Sequence, residues 1–335
     1  MKAKKERRIK VLLIHLPSGP SFASRDYAII KKHFEVRKVR WDGKRTIPSL
    51  LSNLIWSDVV YSWFAGDHSS LAVLFSKLFR KKTIICVGGG DVAAVPELDY
   101  GLLLKEGFKK KFLAYGIENA SKVMVVDPSL KQDAIKNAGV SGKNIVYLPT
   151  GYDTEYWKPS GDKERLVITT GKVTKTIVRR KSFDIFVKAA REFPDVKFAV
   201  IGKHADNSVE MLKSLSAGNV EFPGFVSDDE LLRWNQRASV YCQLSRYEGL
   251  PNALCEAMSC GCVPVGTRHC GVPTAIGGTG FYAEFSDLQG TIKAIRQALA
   301  SPENSHKARQ RIIDNFPLSK RRDGVIRAIS EVRKK

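Results

Sequence analysis

The chain has 335 residues, a length that suits two domains of ordinary size. Hydrophobic residues make up 43% and charged residues 27%, a globular mixture that excludes a disordered, collagen-like or low-complexity chain. The 55 lysines and arginines outnumber the 34 acidic residues and give a net charge of +21. The expected partner is therefore anionic: a phosphorylated small molecule, a nucleic acid or a membrane surface.

The sequence contains no run of about 18 apolar residues, so we expect no membrane-spanning segment. The apolar run Val11–Leu16 follows a basic stretch, but it is short and is broken by His15. We interpret the N-terminus as a basic arm and a first buried strand, not as a signal peptide. The six cysteines form no CxxC pair, which favours buried, reduced thiols in a cytoplasmic protein and no metal site.

Short β-branched runs alternate with amphipathic segments along the chain, which predicts βαβ units and mostly parallel sheets. The predicted strands of the first half are Lys10–His15, Phe34–Arg40, Val59–Trp63, Thr83–Val87, Lys122–Val126 and Ile145–Leu148. Those of the second half are Leu166–Thr170, Lys197–Ile201, Val220–Phe222, Val240–Gln243 and Val263–Gly266. The predicted helices are Tyr27–Phe34, Ser69–Arg80, Lys105–Asn119, Pro128–Ala138, Ser182–Arg191, Asp228–Arg237, Pro251–Ser259 and Leu288–Leu299.

A turn-rich stretch at Pro149–Tyr156 and the polar run Lys158–Asp162 predict a break between two halves. We therefore predict an α/β fold with two Rossmann-like, doubly wound domains. The first covers 1–155 and the second 156–315, and a C-terminal helix in 316–335 packs back toward the first domain.

The most informative segment is Ser245–Gly266, in which Glu248 and Glu256 are separated by seven residues. A strand runs into the loop that carries Glu248, and Pro251 then opens a helix. A helix N-terminus preceded by glycine is suited to phosphate, and a carboxylate one or two turns inside the helix can accept hydrogen bonds from a ribose diol. The alternative interpretation is a capped helix with solvated glutamates.

This segment reads Glu248-x7-Glu256 and continues with Ala257-Met258-x-x-Gly261-x-x-Pro264-Val265. It resembles the signature of the retaining glycosyltransferases of family 4, which have the GT-B fold of two domains facing across a cleft. Further stretches resemble that family in the same order: Leu148–Asp153, Gly171-Lys172, Arg180–Ala190, Phe198–Gly202 and Phe222–Leu231. The stretches Cys86–Val92 and Pro96–Gly101 resemble an archaeal subgroup.

The resemblance implies a nucleotide-sugar donor held mainly by the C-terminal domain. Glu256 would bind the ribose, Glu248 would face the transferred sugar, and Lys172 and Lys181 would clamp the diphosphate. Further donor-binding residues that it implies are Gly249, Leu250, Asn252, Gly202, Val226, Arg180 and Gly19. We also expect Lys181 at the start of the helix Ser182–Arg191, where its ammonium and the helix dipole act together.

The loop before Lys181 departs from the family pattern. The usual arginine is Lys172 here, and a lysine acts as a point charge without the bidentate fork of a guanidinium. The loop is also longer and contains Arg179 and Arg180. Which of Lys172, Arg179 and Arg180 completes the clamp therefore stays open.

The first half is expected to hold the acceptor. His15 follows the first predicted strand, and Gly90 and Asp91 follow the fourth, at strand ends where α/β sheets form their binding crevices. Asp91 could bind the acceptor or the donor sugar, or it could cap a turn. His68 is expected at a helix start.

The expected activity is that of a retaining, metal-independent hexosyltransferase with a front-face mechanism. The nucleotide sugar is a substrate and no cofactor is required; no D-x-D occurs, which disfavours a metal-dependent mechanism. The acceptor is unknown, and a lipid-linked acceptor and a polysaccharide precursor are both open. The alternatives are a sugar-nucleotide epimerase of the same fold and a basic nucleic-acid-binding protein, for which the sequence shows no module signature.

The basic excess is concentrated in the first half. Residues 1–150 carry a net charge of +13, and residues 151–335 carry +8. One interpretation is a solvated basic surface. The other is peripheral docking on an anionic membrane at its inner face, with Lys105–Asn119 either an interfacial helix or an amphipathic helix that covers the sheet.

Overall fold

The computed structural model describes residues 7–17, 21–104 and 106–334. It divides the chain into two compact units: Met1–Thr150 together with Ser319–Lys335, and Gly151–Leu318. The C-terminal segment therefore belongs to the first unit. The sequence analysis placed the end of the first domain at residue 155 and the end of the second domain at residue 315.

Each unit is built on one parallel sheet, which has six strands in the described residues. The strands of the first unit are β1 (Lys10–His15), β2 (Glu35–Arg40), β3 (Val59–Trp63), β4 (Lys82–Val87), β5 (Lys122–Val125) and β6 (Ile145–Tyr147). Those of the second unit are β7 (Glu164–Thr170), β8 (Lys197–Ile201), β9 (Val220–Gly224), β10 (Ala238–Gln243), β11 (Val263–Thr267) and β12 (Phe281–Ala283).

The helices lie between the strands in sequence, as parallel pairing requires. In chain order they are α1 (Ser21–His33), α2 (Ile47–Trp56), α3 (Asp67–Leu78), α4 (Phe108–Asn119), α5 (Pro128–Ala138), α6 (Lys175–Lys181), α7 (Phe183–Ala189), α8 (Ser208–Leu215), α9 (Asp228–Arg237), α10 (Asn252–Ser259), α11 (Gly271–Ile276), α12 (Leu288–Leu299), α13 (Asn304–Asn315) and α14 (Leu318–Lys334). In the part of the chain that the structure describes, no helix is both long and apolar enough to cross a bilayer.

The strand order places a switch point in each sheet. The first sheet runs β2-β1-β3-β4-β5-β6, so the chain passes to one side of β1 and then returns to its other side. The second sheet runs β12-β11-β10-β7-β8-β9 and reverses in the same way about β7. Ligands of open α/β sheets bind beyond the carboxyl ends of the strands at such switch points. The two positions of interest are therefore the edge above β1 and β3 and the edge above β7 and β10.

The predicted α/β architecture of two parallel sheets is confirmed, because continuous apolar runs such as β3 are buried along their whole length. Some details were wrong or missed, among them the helices α2, α6, α8, α11 and α13, which were not predicted. The predicted helix Ser182–Arg191 is α7 followed by a 3₁₀ turn at Ala190–Glu192. Strand β12 was not predicted. Cys86, Cys242, Cys255, Cys260 and Cys262 are free and buried, and Cys270 is half-buried.

A buried ion pair holds the C-terminal helix in the first unit. Arg321 of α14 donates from Nη2 to Asp26 Oδ2 at 2.6 Å and from Nε to Asp26 Oδ1 at 3.0 Å. Asp26 Oδ2 also accepts from the hydroxyl of Tyr61 and the indole N–H of Trp63. Arg321 Nη1 donates to the carbonyl of Leu148 at 2.9 Å. The carboxylate and the guanidinium thus satisfy one another where water does not reach.

We expect Arg321→Met to destabilise the first unit by about 3–5 kcal/mol, because it leaves the Asp26 carboxylate buried without its cation. Urea unfolding followed by tryptophan fluorescence measures the change. The control is Arg322→Met, since Arg322 is exposed and pairs with its exposed neighbour Asp323; its effect should stay within about 0.5 kcal/mol. Equal midpoints for the two variants would contradict the structural role of Arg321.

Candidate active site

A buried cluster of charged side chains lies at the switch point of the second sheet. Glu248 is in the loop after β10, and its Oε1 lies 3.0 Å from Arg180 Nη1 and 3.3 Å from Lys181 Nζ. All three side chains are largely buried. One carboxylate is therefore held between two cations at the position where an α/β sheet binds its ligand.

The backbone fixes these cations to the loop that carries Glu248. Arg180 Nη1 donates to the carbonyl of Tyr247 at 2.8 Å, and the N–H of Arg246 donates to the carbonyl of Arg180 at 2.9 Å. Lys181 Nζ also donates to the carbonyl of Thr170, at the end of β7, at 3.2 Å. The cluster consequently links β7, α6 and the loop after β10.

The ionisation of the cluster follows from these contacts. Burial alone would raise the pKa of Glu248, but the positive charges of Arg180 and Lys181 lower this pKa to about 2. Burial also lowers the pKa of Lys181, while Glu248 acts in the opposite direction. Glu248 is therefore ionised at neutral pH, and the three groups together carry a net charge of +1 when both cations are protonated.

Two polar side chains that the sequence analysis missed complete the support of Glu248. Ser245 Oγ donates to Glu248 Oε1 at 3.1 Å, and Gln243 Nε2 lies 2.7 Å from Ser245 Oγ and 3.3 Å from Glu248 Oε1. Both residues are buried. A glutamine at the end of a buried strand was the available signal, because unpaired polar side chains are rare in such positions.

The placement of Lys181 differs in part from the expected one. It is the last residue of α6, and Ser182, in a left-handed conformation with φ of 48°, separates it from α7. Lys181 therefore directly precedes the N-cap of α7, as expected, but it also ends α6, a helix that the sequence analysis did not predict. Its ammonium contacts Glu248 and the carbonyl of Thr170. Lys172 is exposed, whereas Arg180 lies beside Lys181.

The loop before α10 is held by close backbone packing. Gly249 and Leu250 are buried, and the side chain of Asn252 accepts a hydrogen bond from the hydroxyl of Tyr152 at 3.0 Å. A Cβ atom on Gly271 would lie 1.7 Å from the carbonyl oxygen of Gly249. Only glycine at position 271 allows this approach, which sets the path of the chain directly after Glu248.

Glu256 lies inside α10 and is 6% exposed. Its charge contributes to the raised pKa of Tyr156, although the hydrogen bond from Tyr156 to Asp229 is the larger cause. Its charge acts in the same direction on Tyr241, whose pKa is raised first by burial. Glu256 is thus a buried carboxylate close to these two aromatic residues, and the interpretation of a solvated glutamate does not fit.

Three glycines lie at the carboxyl ends of the neighbouring strands β7, β8 and β9: Gly171 and Gly202 follow β7 and β8, and Gly224 is the last residue of β9. The N–H of Gly202 donates to the carbonyl of Gly224 at 2.9 Å, and a Cβ atom on Gly202 would lie 2.1 Å from the carbonyl oxygen of Gly171. At this edge of the sheet the backbone therefore carries no side chains at these three positions. Val226 is half-buried and precedes Ser227, the N-cap of α9.

A cavity of about 580 Å³ lies at the switch point of the first sheet. Its lining residues are Leu16, Phe64, Ala65, Gly66, His68, Gly90, Asp91, Tyr100, Gly101 and Leu102. Asp91 accepts hydrogen bonds from the N–H groups of Ala65 at 2.9 Å and Gly89 at 2.7 Å. Its carboxylate therefore holds the glycine loop in place. Burial raises the pKa of Asp91, and the hydrogen bonds from these N–H groups act in the opposite direction.

The other residues of the first unit that the sequence analysis singled out have different surroundings from one another. Gly90 packs against Tyr100, whose hydroxyl oxygen would lie 2.6 Å from a Cβ at position 90. His15 is half-buried at the end of β1. His68 is buried and its Nε2 lies 2.9 Å from the carbonyl of Trp63; burial lowers its pKa, which favours the neutral ring. Gly19 lies outside the described residues.

Residues 159–316, which lie within the second unit, match the family model described as Glycosyl transferases group 1. The match covers most of the second unit, and the resemblance to glycosyltransferases that the sequence showed is confirmed at this level.

Comparisons with known proteins extend this result. A phosphatidylinositol N-acetylglucosaminyltransferase subunit of Arabidopsis thaliana is 25% identical over 223 residues, which are 63% of this chain and 50% of that protein. Mannosylfructose-phosphate synthase of Agrobacterium fabrum is 28% identical over 214 residues, which are 57% of this chain and 46% of that protein. The chain thus matches about half the length of these relatives.

The structural likeness extends over both units. Alr3699/HepE of Anabaena, solved in complex with UDP, aligns with a TM-score of 0.80 over 97% of this chain and 100% of that chain, at 14% identity. The chain therefore has the GT-B fold.

We expect Gly271→Ala to displace the loop after Glu248 and to destabilise the second unit by about 1–3 kcal/mol, because the new methyl group overlaps the backbone of Gly249. Thermal unfolding measures the loss. Gly278→Ala is the matched control, since a Cβ there meets no described atom within 4 Å. If Gly271→Ala unfolds at the temperature of the control, the close packing does not fix this loop.

Proposed function

We propose that this chain is a glycosyltransferase that moves a hexose from a nucleotide-sugar donor to an acceptor, with retention of configuration and without a metal ion. The observation that carries the proposal is the burial of Glu248 between Arg180 and Lys181 at the switch point of the unit that matches the Glycosyl transferases group 1 family model.

The charge of this cluster suits the leaving group. A nucleoside diphosphate gains negative charge as the glycosidic bond breaks, and fixed cations stabilise that charge more in the transition state than in the bound donor. An ammonium group has three N–H donors, and two of those on Lys181 face Thr170 and Glu248. The third remains for a phosphate oxygen. Because Arg180 and Lys181 supply the positive charge, the proposed reaction needs no divalent cation.

The state of Glu248 supports a front-face mechanism. A carboxylate whose pKa lies near 2 and whose Oε1 faces two cations is a weak nucleophile and a weak base. We therefore assign the role of base to the leaving phosphate, which takes the acceptor proton on the face where the new bond forms. Glu248 orients Lys181 and Arg180, and its Oε2, to which no contact is recorded among the described residues, can accept a hydrogen bond from a sugar hydroxyl.

The remaining donor contacts are assigned to the same edge of the second sheet. Glu256 is a buried carboxylate in α10, and its oxygens are of the type that accepts hydrogen bonds from a ribose diol. The backbone at Gly249, Leu250 and Asn252 lies beside Glu248 and offers N–H groups to the sugar and phosphate. The bare backbone at Gly202, with Val226 after the next strand, suits a flat nucleobase. The UDP complex of HepE makes a uridine nucleotide the first donor to test.

The acceptor is assigned to the cavity of the first unit. Gly90 and Asp91 line this cavity, and His15 directly precedes Leu16, another lining residue. One relative is named for phosphatidylinositol and the other for a sugar phosphate, so their names leave the acceptor class open.

The first test is Lys181→Ala. We expect kcat for UDP-sugar turnover to fall on the order of 10²–10³-fold, because one preorganised donor to the leaving group is lost. Glu248 keeps Arg180 as a partner, so the fold should persist by circular dichroism. Lys188→Ala, which removes a half-exposed lysine on α7, is the control and should change kcat less than about threefold. The assay contains excess EDTA.

Two outcomes would contradict the assignment. Near-normal turnover of Lys181→Ala together with an inactive Arg180→Ala would transfer the clamp to the arginine. Activity that disappears in EDTA and returns with Mg²⁺ would overturn the metal-independent mechanism.

The second test concerns donor binding. We expect Glu256→Gln to weaken UDP binding by roughly 1.5–3 kcal/mol, because charge-assisted hydrogen bonds to the ribose are lost. Isothermal titration calorimetry measures the change, and the control is Glu210→Gln, because Glu210 is an exposed residue of α8. Unchanged UDP affinity in a folded Glu256→Gln protein would exclude the ribose contact.

A further inference from the structure

An aromatic row lies along the surface of α4. Phe108, Phe112 and Tyr115 follow one another at helical spacing and share one face. Their ring centroids are 5.9 Å and 6.4 Å apart. Phe108 is 79% exposed, which is unusual for so large an apolar side chain. Phe112 and Tyr115 are half-buried, so the row lies at the surface of the unit with Phe108 as its most exposed member.

The neighbouring helix α3 adds aliphatic side chains to the same region. Gly116 of α4 approaches Ser70 of α3 so closely that a Cβ at 116 would lie 2.4 Å from the Ser70 hydroxyl. Lys77, one residue before the end of α3, lies 5.5 Å from the ring centroid of Tyr115 and is hydrogen-bonded to Asn119. The α3 residues Leu74 and Leu78, at helical spacing, are 42% and 75% exposed.

Basic residues surround these apolar side chains. Lys109 and Lys111 are exposed on α4. Arg80 is exposed just beyond the end of α3. The only acidic partner recorded here among the described residues is Glu106, which pairs with Lys110. Exposed apolar groups surrounded by cations favour a binding partner whose surface is anionic and whose interior is apolar.

We propose that this aromatic–basic surface (Leu74, Lys77, Leu78, Arg80, Phe108, Lys109, Lys111, Phe112 and Tyr115) docks the first unit on an anionic lipid bilayer. The lysines and Arg80 meet the headgroups, and Phe108 and Leu78 enter the boundary of the acyl chains. Exposed leucines favour a bilayer over a polysaccharide or a nucleic acid, since neither of those offers an apolar interior. The inference goes beyond the proposed function and does not require it.

The direct test measures binding of the full chain to vesicles by flotation at 0.15 M NaCl. One set of vesicles is phosphatidylcholine alone, and the other contains about 30% phosphatidylglycerol. We expect binding to the anionic set only, and we expect it to weaken as salt rises because the headgroup attraction is screened. Equal binding to both sets, or no binding to either, overturns the proposal.

Matched variants separate this surface from the general basic charge of the chain. We expect Phe108→Ser to weaken vesicle binding about tenfold, since one inserted ring is lost. Phe225→Ser is its control, because Phe225 is 78% exposed but belongs to the second unit. We expect K109E/K111E to weaken binding at least about twentyfold, at roughly fivefold for each lysine. K293E/K307E, which makes the same charge change on exposed lysines of the second unit, is its control.

The variants give clear alternatives. Control variants that lose as much binding as the surface variants would show non-specific charge attraction and overturn the docking site. Loss in K109E/K111E without loss in Phe108→Ser would exclude insertion. The catalytic variant Lys181→Ala should bind vesicles as the unmodified chain does, and Phe108→Ser should still turn over UDP-sugar in solution. Failure of the docking site and failure of the proposed activity are therefore distinguishable.

Discussion

The ion cluster at Glu248 is the interaction on which the second unit's site depends. Two cations cannot be buried side by side without an anion, because removal from water is costly for each of them. Glu248 supplies that anion from the loop after β10, while the cations come from α6. The geometry of the site is consequently set by segments that are nearly seventy residues apart and meet only because β7 and β10 pair.

The sheets determine where such clusters can form. In both units the strand order reverses about one strand, and the loops on either side of it separate and leave room above the sheet. In the second unit this room holds the charged cluster. In the first it is the 580 Å³ cavity, in which the carboxylate of Asp91 is occupied by backbone N–H groups. The same topology thus produces a charged edge in one unit and a largely uncharged cavity in the other.

Much of this organisation could be predicted from the sequence, because buried parallel strands are continuous apolar runs and because Glu248 and Glu256 have a recognisable spacing. The residues that support Glu248 could not be predicted. Gln243 and Ser245 acquire a role only once the loop after β10 folds back on its own strand. The short helix α6, which ends at Lys181, and the left-handed Ser182 that joins it to α7 had no recognisable signal in the sequence. Asp26 and Arg321 are 295 residues apart, so their pairing depends on tertiary structure alone.

The two buried ion pairs also show why burial of charge is not by itself a sign of function. Asp26 has a partner on each oxygen: the guanidinium of Arg321 contacts both, and Tyr61 and Trp63 complete Oδ2. Such a pair is closed and serves to attach a helix. Glu248 is different, because its recorded contacts among the described residues all fall on Oε1 while Lys181 keeps a third donor. Among the described residues, Glu248 Oε2 and one N–H of Lys181 can therefore accept a ligand without first breaking contacts of the cluster, and this property supports our proposal that the Glu248 cluster is the site of reaction.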